Sequence, residues 1–412
     1  MDSPLIKRLK PAWHAYKRAR DKARWFYGAA ASRSAETDYQ KVVLICNYGR
    51  GYLCNPKYIG EALNREYPGQ FDLVCLVGKH LKDAPPYIRQ VRYGTRAAQR
   101  ELASARVWID NCRGLKYVPK RNDQVYIQTW HASLGPKRCE GDVADHLYPK
   151  YVQDAMQDGA ITDLMFADNA LEAGVFQRAF WYEGPVLKIG VPRNRPLADP
   201  CPSDVSAVKD KLGVAQDTSI CLYAPTFRND WSVEAYKFDH KRFVRELEGR
   251  FRKPFVFAYR LHPNIAKLGS LDFMEGAIDA TSYPDAQELL AATDVLVSDY
   301  SSIMDDFVLT GRPGFAFIAD LESYLDDRGL YYPLTDRPFP VAQNEDELIA
   351  AVRDFDEASF EAKRMGFMEE MRFSDNGRGA EDLAMVIKRL SKPGTTLDEA
   401  INDIEIWPVC KQ

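Results

Sequence analysis

No stretch of this 412-residue chain holds the roughly 18 consecutive apolar residues that a bilayer-crossing helix needs, and the apolar core of a signal peptide is also missing. Nothing in it is therefore expected to span a membrane. Its eight cysteines, at 46, 54, 75, 112, 139, 201, 221 and 410, are dispersed and form no CxxC pair. That excludes a disulfide framework and a zinc site, and leaves them as small buried hydrophobes in a reducing compartment. Spaced carboxylates are lacking too: Asp305 and Asp306 are neighbours, and on a helix they point about 100° apart, too far to clamp one ion. No protein-bound metal, no cofactor and no nucleic-acid partner are expected. Short repeats and low-complexity tracts are absent. Histidine is scarce, with six in the chain, so the place of each one matters.

What is present is an alternation of short apolar runs and helical patterns. Lys41–Cys46, Phe71–Val77, Ala105–Asp110 and Val125–Gln128 read as buried strands, with helices such as Pro56–Glu66 and Arg96–Ser104 among them. A second series runs through Ile220–Ala224, Phe255–Tyr259, Val295–Ser298 and Gly314–Ile318. Between the two lies the Pro-rich stretch Gly190–Pro200, read as a linker. With 46% hydrophobic residues the chain has enough for two cores. The fold class is α/β with parallel sheets covered on both faces. The expected divisions are 1–35, 36–195, 196–395 and a tail over 396–412 whose acids face solvent.

Three turns stand out. Val295-Leu296-Val297 empties into Ser298-Asp299-Tyr300-Ser301-Ser302, followed by the helical stripe Ile303, Met304, Phe307, Val308 and closed by Gly311-Arg312-Pro313. Serines opening a helix after a parallel strand offer hydroxyls and free N–H groups to an anion. His131, in Gln128-Thr129-Trp130-His131-Ala132-Ser133-Leu134-Gly135, and His262, in Arg260-Leu261-His262-Pro263, each lie just past such a strand, where open α/β sheets bind ligands. Histidine moves protons near neutral pH. Trp130 reads as packing beside His131.

The N-terminal segment has a different character. Lys7, Arg8, Lys10, Lys17, Arg18, Arg20, Lys22 and Arg24 face one acid, Asp21, while Leu5, Leu9, Trp13, Tyr16, Phe26 and Tyr27 fall roughly on one helical face, broken near Pro11. Such a basic amphipathic helix suits an anionic membrane surface, although packing on the body with a solvated basic face is the alternative.

In fixed order the chain carries WHAS with Gly135-Pro136-Lys137-Arg138, Pro192-Arg193-Asn194, Ala224-Pro225-Thr226-Phe227-Arg228, Arg260-Leu261-His262-Pro263 and Ser298-Asp299-Tyr300-Ser301-Ser302. Together these resemble the CDP-glycerol glycerophosphotransferase family, which builds teichoic-acid-type poly(glycerol phosphate) in bacteria, over about Lys41 to Leu390. The resemblance implies two Rossmann-like domains facing a cleft, the GT-B arrangement, with the acceptor on the first and CDP-glycerol on the second. It further implies His131 as general base and His262 at the donor phosphates. Ala132, Ser133, Leu134, Gly135, Arg193, Pro225, Thr226, Arg260, Leu261, Ser301, Ser302 and Asp306 follow as substrate-binding positions. The implied reaction moves glycerol phosphate to a hydroxyl of a lipid-linked glycan or poly(glycerol phosphate) acceptor and releases CMP. The implied site of action is the cytoplasmic face of the bacterial cell membrane, with the protein bound peripherally to an anionic surface. Two departures stand out: Ala132 where many members carry Gly, and Arg195 where an acid is common. They leave open a CDP-ribitol donor. A nucleotide-sugar glycosyltransferase and a non-catalytic nucleotide-binding partner in envelope assembly are the other readings.

Overall fold

The computed structural model describes residues 4–133, 135–226, 236–261, 274–320 and 329–408. Leu134 and His262 lie outside the described residues. The short apolar runs become the strands of two parallel sheets. In the first, β1 (Asp38–Ile45), β2 (Asp72–Val77), β3 (Ile88–Arg92), β4 (Ala105–Asp110) and β5 (Val125–Gln128) stand in the order β3-β2-β1-β4-β5. Val43 pairs with Val74 on one side and Trp108 on the other, and Val42 to Ile45 are fully buried, as strands covered on both faces must be. A parallel pair, β6 (Met165–Ala167) and β7 (Val186–Lys188), follows, and a bridge from Ile127 to Leu164 links the approach to β6 with β5.

The second sheet holds β8 (Ser219–Tyr223), β9 (Phe255–Tyr259), β10 (Ile278–Asp279), β11 (Val295–Ser298), β12 (Gly314–Phe317) and β13 (Val341–Ala342), in the order β10-β9-β8-β11-β12-β13. Each sheet steps outward from its first strand and then reverses, so β1 lies beside β4 and β8 beside β11. At such reversals the carboxyl ends of the strands open a crevice. The linker is compact: a 3-10 turn over Pro192–Asn194 runs into a helical turn over Arg195–Ala198.

The chain end returns to the first lobe. Leu383, Val386, Ile387 and Leu390, on the helix Gly379–Leu390, share one core with Val42, Leu44, Ile59 and Leu63, and so do Ala400 and Ile401. A Cβ on Gly379 would lie 1.7 Å from the carbonyl oxygen of Gly190, so only glycine lets the returning helix cross the linker here. Trp407 continues the attachment, donating from Nε1 to the Ala167 carbonyl at 2.9 Å. The sequence division that placed 196–395 in the second domain and 396–412 in a separate tail is corrected on this point. An apolar helical stripe has the same pattern whichever sheet it covers.

One helix spans Pro4–Ser34 and runs through Pro11 without a break. Its second half is docked on the first lobe. Gln99 donates from Nε2 to the Arg24 carbonyl at 2.8 Å, Ser32 donates to the Pro119 carbonyl at 2.7 Å, and Arg24 stacks over the Tyr117 ring at 4.2 Å. A Cβ on Gly28 would lie 1.7 Å from the Tyr117 carbonyl oxygen. Packing on the body therefore holds from about Arg24 onward, while Trp13, Tyr16, Trp25 and Phe26 remain exposed.

Candidate active site

β5 ends in a strained turn that delivers His131 to the crevice. Trp130 sits in the left-handed region at φ +52°. The turn is held from several sides: Trp130 N–H donates to Gln128 Oε1 at 2.9 Å, and Asn55 Nδ2 donates to the Thr129 and Trp130 carbonyls at 3.1 and 3.2 Å. The Trp130 ring packs edge-on against Phe180, with centroids 4.9 Å apart, and against the His131 imidazole at 4.3 Å.

His131 is open to solvent although both lobes surround it. Its Nδ1 lies 2.9 Å from the Asn111 carbonyl oxygen. A carbonyl only accepts, so Nδ1 carries the proton and the Nε2 lone pair is left for the crevice. Desolvation between the lobes lowers the imidazole pKa, the positive charges of Arg193 and Arg113 lower it further, and the bond to Asn111 opposes them. The neutral ring that a proton acceptor requires is thus favoured.

Across the crevice, the turns after β8 and β11 form the facing wall. Asp299 accepts from Thr226 twice, from N–H at 2.9 Å and from Oγ1 at 2.7 Å, fixing the Ala224–Pro225–Thr226 turn. Arg337 donates to the Asp299 and Ser301 carbonyls at 3.2 and 3.1 Å and pairs with Asp305, which also accepts from Tyr332 at 2.7 Å. The helix after the serines is only six residues long, Ile303–Val308, and the Ser302 side chain caps nothing. So short a helix contributes little dipole, and the sequence-based case for a strong helix-terminus field is corrected accordingly. What remains is the hydroxyls and free N–H groups of the turn.

Between these walls lies a cavity of about 540 Å³, lined from the first lobe by His131, Ala132, Ser133 and Gly135, and from the second by Pro225, Thr226, Arg260, Leu261, Ser301 and Ser302. The two sides come close at Gly135, where a Cβ would lie 3.0 Å from Ser302 Cα. Arg260 spends part of its guanidinium on backbone, with Nη1 donating to the Tyr283 and Ala280 carbonyls.

Arg193 and Asp306 are brought to the same place but beneath the cavity wall, buried and joined to each other. Arg193 also donates from Nη1 to the His131 carbonyl at 3.0 Å, and Ser133 Oγ donates to Asp306. Gln287 Nε2 donates to Asp306 Oδ2 at 3.2 Å. The adjacent carboxylates diverge as helical geometry demands, Asp305 to Arg337 and Asp306 to Arg193. Arg195 faces a separate, smaller cavity of about 290 Å³ and pairs with Glu381 on the returning helix. Asn55, Asn111, Asp299 and Arg337 were given no role by sequence reasoning. Asp299 stood inside a quoted motif, and Asn111 follows a strand end where ligands bind; the other two carried no local signal.

The sequence pattern of the CDP-glycerol:poly(glycerophosphate) glycerophosphotransferase family matches residues 28–389. The chain belongs to this family. It is 28% identical over 355 residues to the teichoic acid poly(glycerol phosphate) polymerase of Bacillus subtilis (strain 168), covering 82% of this chain and 47% of that protein. To the teichoic acid glycerol-phosphate transferase of Staphylococcus aureus (strain NCTC 8325 / PS 47) it is 25% identical over 357 residues, covering 82% of this chain and 90% of that one. The chain spans about half the length of the first curated polymerases it matches. Among solved structures, the wall teichoic acid polymerase TagF superposes with a TM-score of 0.79 at 26% identity, covering 95% of this chain and 98% of that one. The arrangement of two parallel α/β lobes is thus one this chain shares with that polymerase.

Proposed function

We propose that this family member transfers glycerol phosphate from CDP-glycerol to a hydroxyl of a membrane-linked acceptor in teichoic-acid-type polymer synthesis. The acceptor oxygen bonds to the phosphorus that bears glycerol, its proton passes to His131 Nε2, and the phosphorus–oxygen bond to CMP breaks, with the electron pair leaving on CMP. Such a transfer needs positioning and charge stabilisation more than a covalent intermediate. Pro225, Thr226, Arg260, Leu261, Ser301 and Ser302 hold the donor, with Ser133 and Gly135 closing over it. His262 is assigned to the donor phosphates on the family resemblance alone. The helix Pro4–Ser34 lays exposed Trp13, Tyr16, Trp25 and Phe26, beside Lys17, Arg18 and Arg20, on an anionic surface at the cytoplasmic face of the membrane.

The observation that carries this reading is the imidazole of His131, with Nδ1 committed to the Asn111 carbonyl, facing the serine turn across a cavity large enough for a nucleotide diphosphate. The test is to incubate the protein with CDP-glycerol, CDP-ribitol or UDP-sugars plus an acceptor and measure CMP and UDP. CMP from CDP-glycerol is expected. UDP release instead moves the protein to the glycosyltransferases, and tight cytidine-nucleotide binding with no release makes it a non-catalytic partner.

A further inference from the structure

One helix of the first lobe reaches both walls of the crevice. The helix Cys54–Glu66 buries Ile59 and Leu63 in the core beneath the first sheet. In its first turn, Asn55 donates to the Thr129 and Trp130 carbonyls of the turn that bears His131, and its Oδ1 accepts from Arg193 N–H at 3.1 Å. Successive helical residues point about 100° apart, so Lys57, two positions on, faces nearly the opposite way. It faces the second lobe. Lys57 Nζ donates to Asp285 Oδ2 at 2.7 Å and to Glu288 Oε1 at 2.6 Å. The Lys57 side chain is 13% exposed and that of Asp285 3%, so salt screens this contact little.

Both carboxylates belong to the segment that shapes the second lobe's side of the cavity. Glu288 Oε2 accepts from Tyr283 OH at 2.8 Å, and the Tyr283 carbonyl accepts from Arg260 Nη1. Leu261 N–H donates to Thr281 Oγ1 at 3.2 Å. Arg260, Leu261 and Thr281 all line the cavity. Asp285 divides its oxygens between the lobes. Its Oδ1 accepts from Gln287 N–H at 3.0 Å, at the start of the helix Ala286–Ala291, while Oδ2 takes Lys57 and, at 3.2 Å, Tyr58 OH. A continuous path of hydrogen bonds thus runs from the His131 turn, through one turn of helix, to Arg260 on the opposite wall.

We infer that Lys57 is a positioning residue for the transfer: through Asp285 and Glu288 it sets the cavity wall of the second lobe against the helix that, through Asn55, sets His131. It fixes the gap across which the attacking hydroxyl must reach phosphorus, and itself touches no substrate. A misplacement of about 1 Å can cost such a reaction about a hundredfold in rate. This rests on the transferase reading above.

Lys57→Met, Lys57→Arg and Glu288→Gln are compared with the parent chain by calorimetry with CDP-glycerol, by CMP release and by backbone hydrogen exchange. Lys57→Met is expected to bind CDP-glycerol at unchanged stoichiometry with a Kd within about threefold, since the proposed donor contacts lie mostly on the second lobe, while kcat falls about tenfold or more. Lys57→Arg is expected to recover part of that loss, and Glu288→Gln, which leaves Asp285 paired, to lose less. Peptides over 280–291 are expected to exchange faster in Lys57→Met, with β8 and β11 unchanged. A residue that only supports the fold would lower kcat in step with the fraction of chains that bind donor. That result, an unchanged kcat, or unchanged exchange over 280–291 overturns the assignment, and if Lys57→Met does not fold, Glu288→Gln decides by the same split between kcat and Kd. A parent chain that releases no CMP removes the transferase reading, and exchange over 280–291 then decides separately whether Lys57 holds that wall.

Discussion

Arg193, on the turn between the lobes, and Asp306, on the helix behind the serine turn, form a buried ion pair with nitrogen and oxygen 2.8 Å apart. The same guanidinium donates to the His131 carbonyl, so one side chain ties the loop of the base to the lobe that carries the opposite wall. Removing the carboxylate leaves a buried cation without its charge partner. Asp306→Ala is therefore expected to cost about 3–5 kcal/mol in unfolding free energy, read from denaturant titration. Asp306→Asn, which keeps one of the two acceptor oxygens and fills the same space, is expected to lose less. Equal stability of Asp306→Ala and the parent chain would show that the pair does not hold the lobes together.

His131→Ala is expected to slow CMP release by about 10²–10⁴ with donor affinity within a few-fold. The pH profile carries its own sign. A base acts when neutral, and desolvation between the two lobes lowers this imidazole's pKa, so the acid limb of the rate should fall below the ordinary histidine pKa of about 6.5. A midpoint at or above that value, or full activity in the purified His131→Ala protein, removes His131 from the proton transfer.

Replacing Ser301 and Ser302 together by alanine is expected to weaken donor binding by about 1–3 kcal/mol, the range for lost hydroxyl bonds to charged oxygens. The backbone N–H groups of the turn survive, the Ser302 side chain caps nothing, and the Ser301 hydroxyl gives up only a 3.4 Å bond from the Ile303 N–H, so the fold should be little affected. Calorimetry with CDP-glycerol reads this directly. An unchanged Kd makes the serines part of the turn and nothing more.

Truncation before residue 23 is expected to release the protein from anionic vesicles while the docked part of the helix stays on the lobe. Each basic side chain near a charged leaflet contributes about 1 kcal/mol, and binding by the full chain should weaken as salt rises. Removing residues 1–31 is a harsher change, because it takes away Gly28 and the hydrogen bond from Gln99 to Arg24. Vesicle binding that survives truncation before residue 23 places the anchor elsewhere.

The strands were legible because both faces of each inner strand are buried, which leaves a near-continuous apolar run such as Val42–Ile45. The turns around the crevice were legible because their residue types stand at strand ends. What the sequence hid has a common cause. His131 is oriented by a backbone carbonyl, and every residue has one, so nothing marked Asn111 as its source. Arg193 read as a residue able to grip phosphate, whereas its partner here is Asp306, 113 positions away along the chain. The register of the helix Pro4–Ser34 disclosed basic and aromatic faces but not where docking begins, since that depends on the Tyr117 carbonyl beneath Gly28.

The return of the helix Gly379–Leu390 to the first sheet sets an order of assembly. As the polypeptide emerges during synthesis, β1 to β5 precede the second lobe, but Leu383, Val386, Ile387 and Leu390, which close their core, are made only after it. The second lobe, whose strands lie between β8 and β13, is complete while its neighbour still exposes apolar surface. The lobe made earlier is thus sealed after the later one, and a nascent chain halted before residue 379 would carry an unfinished first lobe beside a finished second one.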